Sequence, residues 1–345
     1  MFGAIIKNYG DSEVFELSNT LEMPEINSNQ VMVEIYSTSV NPIDLMKREG
    51  YGKTIFEKQR NLTFPWVLGS DFSGVVKKVG SKVTRFSAGD KVWGCTSDAS
   101  HGTYAQYGVF DQAEVDFKPI GLSFNEAASL PYVALTTWAG LIRWAGLRPQ
   151  DIMNKKVFVQ AGAGGVGTFA IQLFRSWNCT VATTCSPQNH QLVKRLGADV
   201  AIDYSQEDFT KILKEYDIVL DSVGELGGAE TIHRCTSVLK QQSSSHYITL
   251  NHSFMKTIEE KGLLLGVPHA IFLRQKTKRE FKPINIHWSL FRPSLSGLQE
   301  LGKLTSEGSV KPVIDSVFEL KDIAKAHDRV GTGHSCGKVV VEIRK

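Results

Sequence analysis

One stretch constrains this chain more than any other: Lys156-Val-Phe-Val-Gln-Ala-Gly-Ala-Gly-Gly-Val-Gly167. The apolar run from Val157 to Gln160 has strand length. It passes into Gly162, Gly164 and Gly167, spaced G-x-G-x-x-G, and then into a segment whose apolar residues Ala170, Leu173, Phe174 and Trp177 recur at helical spacing. A strand that turns tightly into a helix, with backbone rather than side chains at the turn, needs glycine at these points. Free N–H groups and the positive end of the helix dipole then suit a pyrophosphate. Glycine-rich loops are common; the position of this one between strand and helix makes a dinucleotide-binding turn the reading.

The texture on either side differs. Over the first hundred or so residues, glycine and proline punctuate short β-rich runs such as Val31 to Tyr36, Gly74 to Val79 and Lys91 to Trp93, which reads as a small, irregular β-barrel-like domain. From about Lys155, apolar runs at Val157–Gln160, Thr180–Thr184 and Ile218–Leu220 alternate with helical stretches, the signature of a doubly wound parallel sheet in an α/β fold. After about residue 290 the pattern loosens, then closes with a helix near Lys321 to Arg329 and a strand Lys338 to Ile343, expected to return to the first domain. A chain of 345 residues is long for one core, so two domains are expected.

Charge and cysteine narrow the classes. The 39 basic and 36 acidic residues are too balanced for a nucleic-acid surface. The one basic run, Arg274 to Lys282, reads as a solvated loop or exposed helix face, with a partner or anionic-membrane contact as the alternative. Five scattered cysteines without a C-x-x-C pair favour a reducing compartment over a disulfide framework. No N-terminal targeting signal is visible. The apolar stretch Ala127 to Leu147 is interrupted by Pro131 and Arg143, so a buried helix between domains is expected rather than a membrane span.

The second strand should carry the residue that reads the adenosine ribose. NAD enzymes normally place Asp or Glu there; this chain has Thr184, Cys185 and Ser186, with His190, Lys194 and Arg195 shortly after. Hydroxyl and basic donors tolerate a 2′-phosphate, so NADPH is expected over NADH. Lys194 and Arg195 read equally as an exposed helix face. Ser222, ending the third strand, is either a neighbour of the adenine or ribose or part of a turn.

The chain as a whole resembles the medium-chain dehydrogenase/reductase superfamily, in its zinc-free quinone oxidoreductase-like branch. The resemblance rests on Val40-Asn-Pro-Ile-Asp44 with Gly50-Tyr-Gly52, Leu68-Gly-Ser-Asp-Phe-Ser-Gly-Val-Val76, Gly89-Asp-Lys-Val-Trp-Gly94, Gly102-Thr-Tyr-Ala-Gln106, Ser129-Leu-Pro-Tyr-Val-Ala-Leu-Thr-Thr-Trp138, the glycine motif, and Gly337-Lys-Val-Val340. Within that branch it is similar to the reticulon-4-interacting protein 1 group, through Arg48-Glu-Gly-Tyr-Gly52, Leu196-Gly-Ala-Asp-Val-Ala-Ile-Asp-Tyr204, Tyr247-Ile-Thr-Leu250 and Gly333-His334.

The resemblance implies a GroES-like irregular β-barrel catalytic domain, 1–126 with 293–345, and a Rossmann NADPH-binding domain, 127–292. It implies coenzyme contacts at Ala163, Gly164, Val166 and Gly167, at Ser186 and Tyr204 around the 2′-phosphate and adenosine, and at Ser222, Leu250, Ser289, Phe291, His334, Ser335 and Cys336 nearer the rest of the molecule. Ala163 stands where close relatives have serine and Cys336 where they have arginine, which removes a charged partner. Zinc-using members carry an early cysteine and a G-H-E histidine; here those places read Asn41-Pro-Ile-Asp44 and Gly69-Ser-Asp71, so no metal site is expected.

Without zinc, negative charge on an acceptor oxygen must be met by hydrogen bonds. Asn41 and Tyr51 are the candidate catalytic donors, against the readings of a turn-forming Asn-Pro and a packed loop. Thr136 is either a nicotinamide-side contact or a helical threonine bonded to its own backbone. His101 and His233 read as structural. The expectation is NADPH-dependent hydride transfer to a quinone or an α,β-unsaturated carbonyl, with a link to mitochondrial ubiquinone metabolism. The alternative is an NADPH-binding interaction protein whose partner is a reticulon-type membrane protein. A homodimer and a mitochondrial location follow from the same resemblance, with the cytoplasm as the other option.

Overall fold

In the computed structural model, residues 1–59, 62–97, 102–228 and 230–344 are described, those at 56, 58 and 59 by backbone alone. The chain forms two compact units. The first comprises Met1–Leu135, Pro293–Gly308 and Pro312–Lys345; the second comprises Thr136–Arg292 and Ser309–Lys311.

The first unit carries β1 (Gly3–Ile6), β2 (Phe15–Ser18), β3 (Gln30–Val40), β4 (Asp71–Val79), β5 (Lys91–Cys95), β6 (Tyr107–Asp111) and β7 (Val115–Phe117). The second carries β8 (Lys156–Val159), β9 (Thr180–Cys185), β10 (Val200–Asp203), β11 (Ile218–Asp221), β12 (His246–Thr249) and β13 (Asn285–Trp288). The chain then adds β14 (Ile314–Glu319) and β15 (Lys338–Glu342) to the first unit, where β15 pairs antiparallel with β3.

In the first unit the main sheet runs β14-β15-β3-β4-β5-β7, with β6 also on β3. Its long central strand alternates buried valine and isoleucine at Val31, Val33 and Ile35, which pack with Phe72, Val92 and Phe110. A second cluster gathers Ile6, Trp66, Leu68 and Tyr104 against Ile323, Ala326 and Val341 near the chain's end.

The second unit is a six-stranded parallel sheet in the order β10-β9-β8-β11-β12-β13. This is the doubly wound dinucleotide-binding order, which reverses direction between β8 and β11. Strands buried on both faces read as continuous apolar runs, and Val157, Phe158 and Val159 have no exposure. Phe158, Val219, Tyr247 and Trp288 share one core, each large side chain contributing about 1.5–3 kcal/mol.

Two of the longer helices were not anticipated from the sequence. Leu295–Ser306 follows the loosened region and buries Leu298, Leu301 and Leu304, a leucine every third residue that marks its inner face. Phe254–Glu280 bends at Gly262 and holds Pro268, interruptions that mask a helix on sequence grounds. The stretch read as a buried helix forms Pro131–Trp138 and continues as a wide turn through Ala139–Trp144. Among the described residues no helix is long and apolar enough to cross a membrane.

Candidate functional site

In the second unit the glycine turn is held by the strand beside it. The Ala161 N–H donates to the Thr184 hydroxyl at 3.1 Å, and the Gly164 N–H donates to the Ala161 carbonyl at 3.1 Å. A Cβ at Gly162 would lie 2.0 Å from Thr183 Oγ1, and one at Gly167 would lie 2.3 Å from the Ala161 carbonyl oxygen. The first glycine therefore lets the turn seat on β9 and the third lets the helix Gly165–Ser176 seat on the turn. That helix begins without a side-chain cap, so its first N–H groups are left for a ligand. A methyl at Gly167 must displace backbone, and Gly167→Ala is expected to weaken coenzyme binding about tenfold or more. Fluorescence titration checks this; unchanged affinity would refute the seating.

The residues implied around the coenzyme fall at equivalent places. Ser186, Tyr204, Ser222, Leu250 and Ser289 are each the first residue beyond a strand, of β9, β10, β11, β12 and β13 respectively. Cys185 pairs with Asp203, and Asp221 with Thr249, which pairs in turn with Trp288. Ser186 and Tyr204 therefore follow one register pair, and Ser222, Leu250 and Ser289 follow one row. All lie at the carboxyl ends of the strands, where ligands bind in open α/β sheets. Ala163 is buried within the turn, Gly164 and Val166 are half-buried, and Phe291 is half-buried just past Ser289.

The site fits a dinucleotide in another respect. The buried Gln160 Oε1 and Ser289 Oγ have no protein partner, although both lie at strand ends. A buried polar atom without a partner costs about 1–3 kcal/mol, which a bound ligand relieves. Ser222 is committed differently: its hydroxyl donates to the Gln160 carbonyl at 2.9 Å and its own carbonyl accepts from Asn251. Gln160 and Thr183 were not singled out as site residues, and Thr184, read as a neighbour of the ribose, instead takes the Ala161 N–H of the turn, because these roles depend on which strand neighbours which.

At the tip of β9 no carboxylate is present. Ser186 accepts from the Asn189 amide at 3.2 Å, and Tyr204 is 57% exposed. Asp203, next to Tyr204, turns inward and accepts from the Ser205 N–H and hydroxyl at 2.9 and 2.7 Å. Lys194 and Arg195 are exposed in the last turn of His190–Leu196.

In the first unit, Asn41 has no exposure and lies within a polar cluster. Its amide donates to Asp71 Oδ2 at 2.9 Å, its side-chain oxygen accepts from Lys338, and its N–H donates to Asp44 Oδ2 at 2.9 Å. Asp71 also accepts from Ser39 at 2.5 Å and from the Tyr132 N–H at 2.7 Å, and Lys338 Nζ stands 3.7 Å from it. Burial pushes the Asp44 and Asp71 carboxyls up, opposed by nearby lysines and hydrogen bonds. Burial pushes Lys338 down, opposed by the two carboxylates. Asn41, a candidate donor by sequence, is held in this cluster, where Lys338 and Asp71 reach its amide from distant strands.

Tyr51 sits half-buried between Gly50 and Gly52, whose φ angles of 95° and 81° require glycine. It lies within electrostatic reach of Tyr132, a residue missed as a candidate. Burial raises the Tyr132 phenol well above its usual value, helped by Cys95, Asp44, Asp71 and Tyr51, so it remains a proton donor. Thr136 is half-buried in Pro131–Trp138. His334, Ser335 and Cys336 lie on the turn before β15; His334 is exposed, and the Cys336 N–H donates to Asp315 at 2.8 Å. Burial raises the Cys336 thiol, as does Asp315. His233 is on the surface, 3.8 Å from Glu280, and His101 lies outside the described residues. Among the described residues no group of three or more His, Cys, Asp or Glu is placed to hold a metal ion.

A doubly wound sheet with this glycine turn, in a chain that also builds a β-rich unit from both its ends, defines a medium-chain dehydrogenase/reductase. The pattern of the alcohol dehydrogenase GroES-like domain matches residues 27–129, and that of the zinc-binding dehydrogenase matches residues 196–341. The chain is 36% identical to the human (Homo sapiens) protein named NAD(P)H oxidoreductase RTN4IP1, mitochondrial, over 98% of this chain and 88% of that one. It is 31% identical to the 2-methylene-furan-3-one reductase of Solanum lycopersicum, over 97% and 77%. The structure of the quinone oxidoreductase from Coxiella burnetii superposes with a TM-score of 0.82 at 31% identity, covering 100% of this chain and 99% of that one. The chain belongs to the mitochondrial NAD(P)H oxidoreductase RTN4IP1 family, and by that resemblance its location is mitochondrial.

Proposed function

We propose that this NAD(P)H-dependent oxidoreductase uses NADPH and reduces a quinone or an α,β-unsaturated carbonyl. The observation that carries the coenzyme reading is the pair Ser186 and Tyr204 beyond register partners, with the Asp203 and Glu207 carboxylates engaged by backbone and Ser205 of their own loop. Hydroxyl donors whose neighbouring carboxylate is turned away suit a 2′-phosphate. When bound, the coenzyme supplies the hydride. The chain's own task is then to hold the dinucleotide at Ala163, Gly164, Val166 and Gly167 and along Ser222, Leu250, Ser289, Phe291, His334, Ser335 and Cys336. Thr136 is assigned to the nicotinamide side.

Tyr51 and Asn41 are the hydrogen-bond donors assigned to the acceptor oxygen, with Tyr132 as a neighbouring phenol. The acceptor class is supported by the named activities of two relatives, a quinone oxidoreductase and a reductase of a conjugated furanone. Both accept hydride at a conjugated system, and a quinone of the ubiquinone type is the leading candidate. A homodimer and a reticulon-type partner are carried by family resemblance alone.

Steady-state assays with a short-chain ubiquinone analogue and with 2-alkenals test this reading. NADPH oxidation with at least one class is expected; none with either overturns catalysis. Tyr51→Phe is expected to lower kcat/KM on the order of 100-fold with coenzyme affinity unchanged. Full activity in that variant removes Tyr51 from the reaction, and loss of coenzyme binding makes it structural.

A further inference from the structure

The helical segment 263–280 of the second unit has its large apolar residues on the wrong side for a helix in water. Its inward stripe is small: Gly266 and Ala270 are buried, and Leu273 packs on the sheet core. A Cβ at Gly266 would lie 2.6 Å from Ile258 Cα, so the two arms of the bent helix meet backbone to backbone there. The outward stripe carries Leu264, Leu265, Ile271 and Phe272 at 91, 72, 48 and 60% exposure, with Pro268 exposed between them. That spacing of i, i+1, i+7 and i+8 keeps the four side chains on one face.

The same face continues into charge. Lys276 and Arg279 are exposed on the following turns, and Lys282 just beyond the helix. None of the three is in an ion pair among the described residues. Glu280, the acid on that turn, lies by His233, and Glu260 on the other arm lies 3.9 Å from Lys256. Arg274 is occupied over the Trp144 ring at 5.4 Å.

We propose that this face is a peripheral docking surface for an anionic lipid bilayer, the four apolar side chains entering the headgroup boundary while Lys276, Arg279 and Lys282 meet lipid phosphates. A contiguous exposed apolar patch marks an interaction site. An apolar stripe running into uncompensated cations fits a helix lying in the plane of a charged interface. An apolar protein groove or a second copy would cover the stripe but leave the adjoining cations without a partner. The inference is independent of the acceptor reading.

The test is co-sedimentation of the full chain with vesicles of phosphatidylcholine alone and of phosphatidylcholine mixed with phosphatidylglycerol, at low and at high salt. Binding is expected only to the mixed vesicles, weaker at high salt. Lys276→Gln with Arg279→Gln, both exposed and so harmless to folding, is expected to cost about 25-fold, at about fivefold per cation. Leu264→Gln with Phe272→Gln is expected to cost at least about tenfold. In Phe272→Trp the indole emission shifts to the blue on adding mixed vesicles.

Equal binding to both vesicle types, no binding to either, or variants that bind like the wild type overturns the proposal. If Leu264→Gln with Phe272→Gln instead converts a dimer to a monomer in sedimentation velocity while vesicles are ignored, the face belongs to a second copy.

Discussion

Replacing Lys338 by methionine is expected to destabilise the first unit by about 3–5 kcal/mol at neutral pH, because it strands buried carboxylates without their cation. Asp44 and Asp71 have no exposure, and the Lys338 ammonium reaches Asn41, the Val40 carbonyl at 3.0 Å, and Asp71. At roughly 2–4 °C per kcal/mol for a domain of this size, the melting temperature should fall by about 10 °C. The pH dependence follows from linkage. Burial already raises Asp71 above its ordinary value, and removing Lys338 raises it further. A folded-state pKa above the unfolded one means that stability is retained below the unfolded value and lost as pH rises through the folded value. The deficit should therefore be smaller at pH 5 than at pH 7, and Asp71→Asn in the same chain should restore much of it. Thermal melts of the three proteins at both pH values check this; a single variant as stable as the wild type would show that the cluster holds no net charge to be balanced.

The second large effect concerns the coenzyme. If the chain prefers NADPH as proposed, Ser186→Asp is expected to reverse that preference. A carboxylate beyond β9 would accept from a ribose 2′-hydroxyl and repel a 2′-phosphate. Loss of a charge-assisted hydrogen bond costs about 1.5–3 kcal/mol, so NADPH affinity should drop on the order of 100-fold while NADH affinity holds or improves. Parallel titrations of wild type and variant give the ratio directly. A wild type indifferent to the phosphate, or a variant that still prefers it, would remove Ser186 from the recognition of the ribose.

How much could be read in advance differs from place to place. The turn from Gly162 to Gly167 was legible because strand, glycines and helix are contiguous, and local sterics impose the conformation wherever such a segment folds. The strand ends were nearly so: β8 closes at Val159, one residue before the expected limit, which leaves Gln160 at the tip. The long helix Phe254–Glu280 was not legible, since Gly262 and Pro268 break the local signal and packing through Gly266 and Ala270 overrides it. The setting of Asn41 was hidden for the same reason in polar form, because its partners Asp71 and Lys338 are 30 and 297 residues away.

By itself, the order of residues determined the α/β class, the doubly wound sheet, the glycine turn after β8 and the lack of Asp or Glu among Thr184, Cys185 and Ser186, all of which depend on neighbours in sequence and on side-chain period. Only the tertiary structure decided that Thr183 and Thr184 buttress the turn, that Asn41 is locked to Asp71 and Lys338, and that Leu264 and Phe272 face outward. Those are facts about strand adjacency and burial, and a local pattern cannot carry them, because the same side chain is a donor, a buttress or a core filler according to what the rest of the chain brings against it.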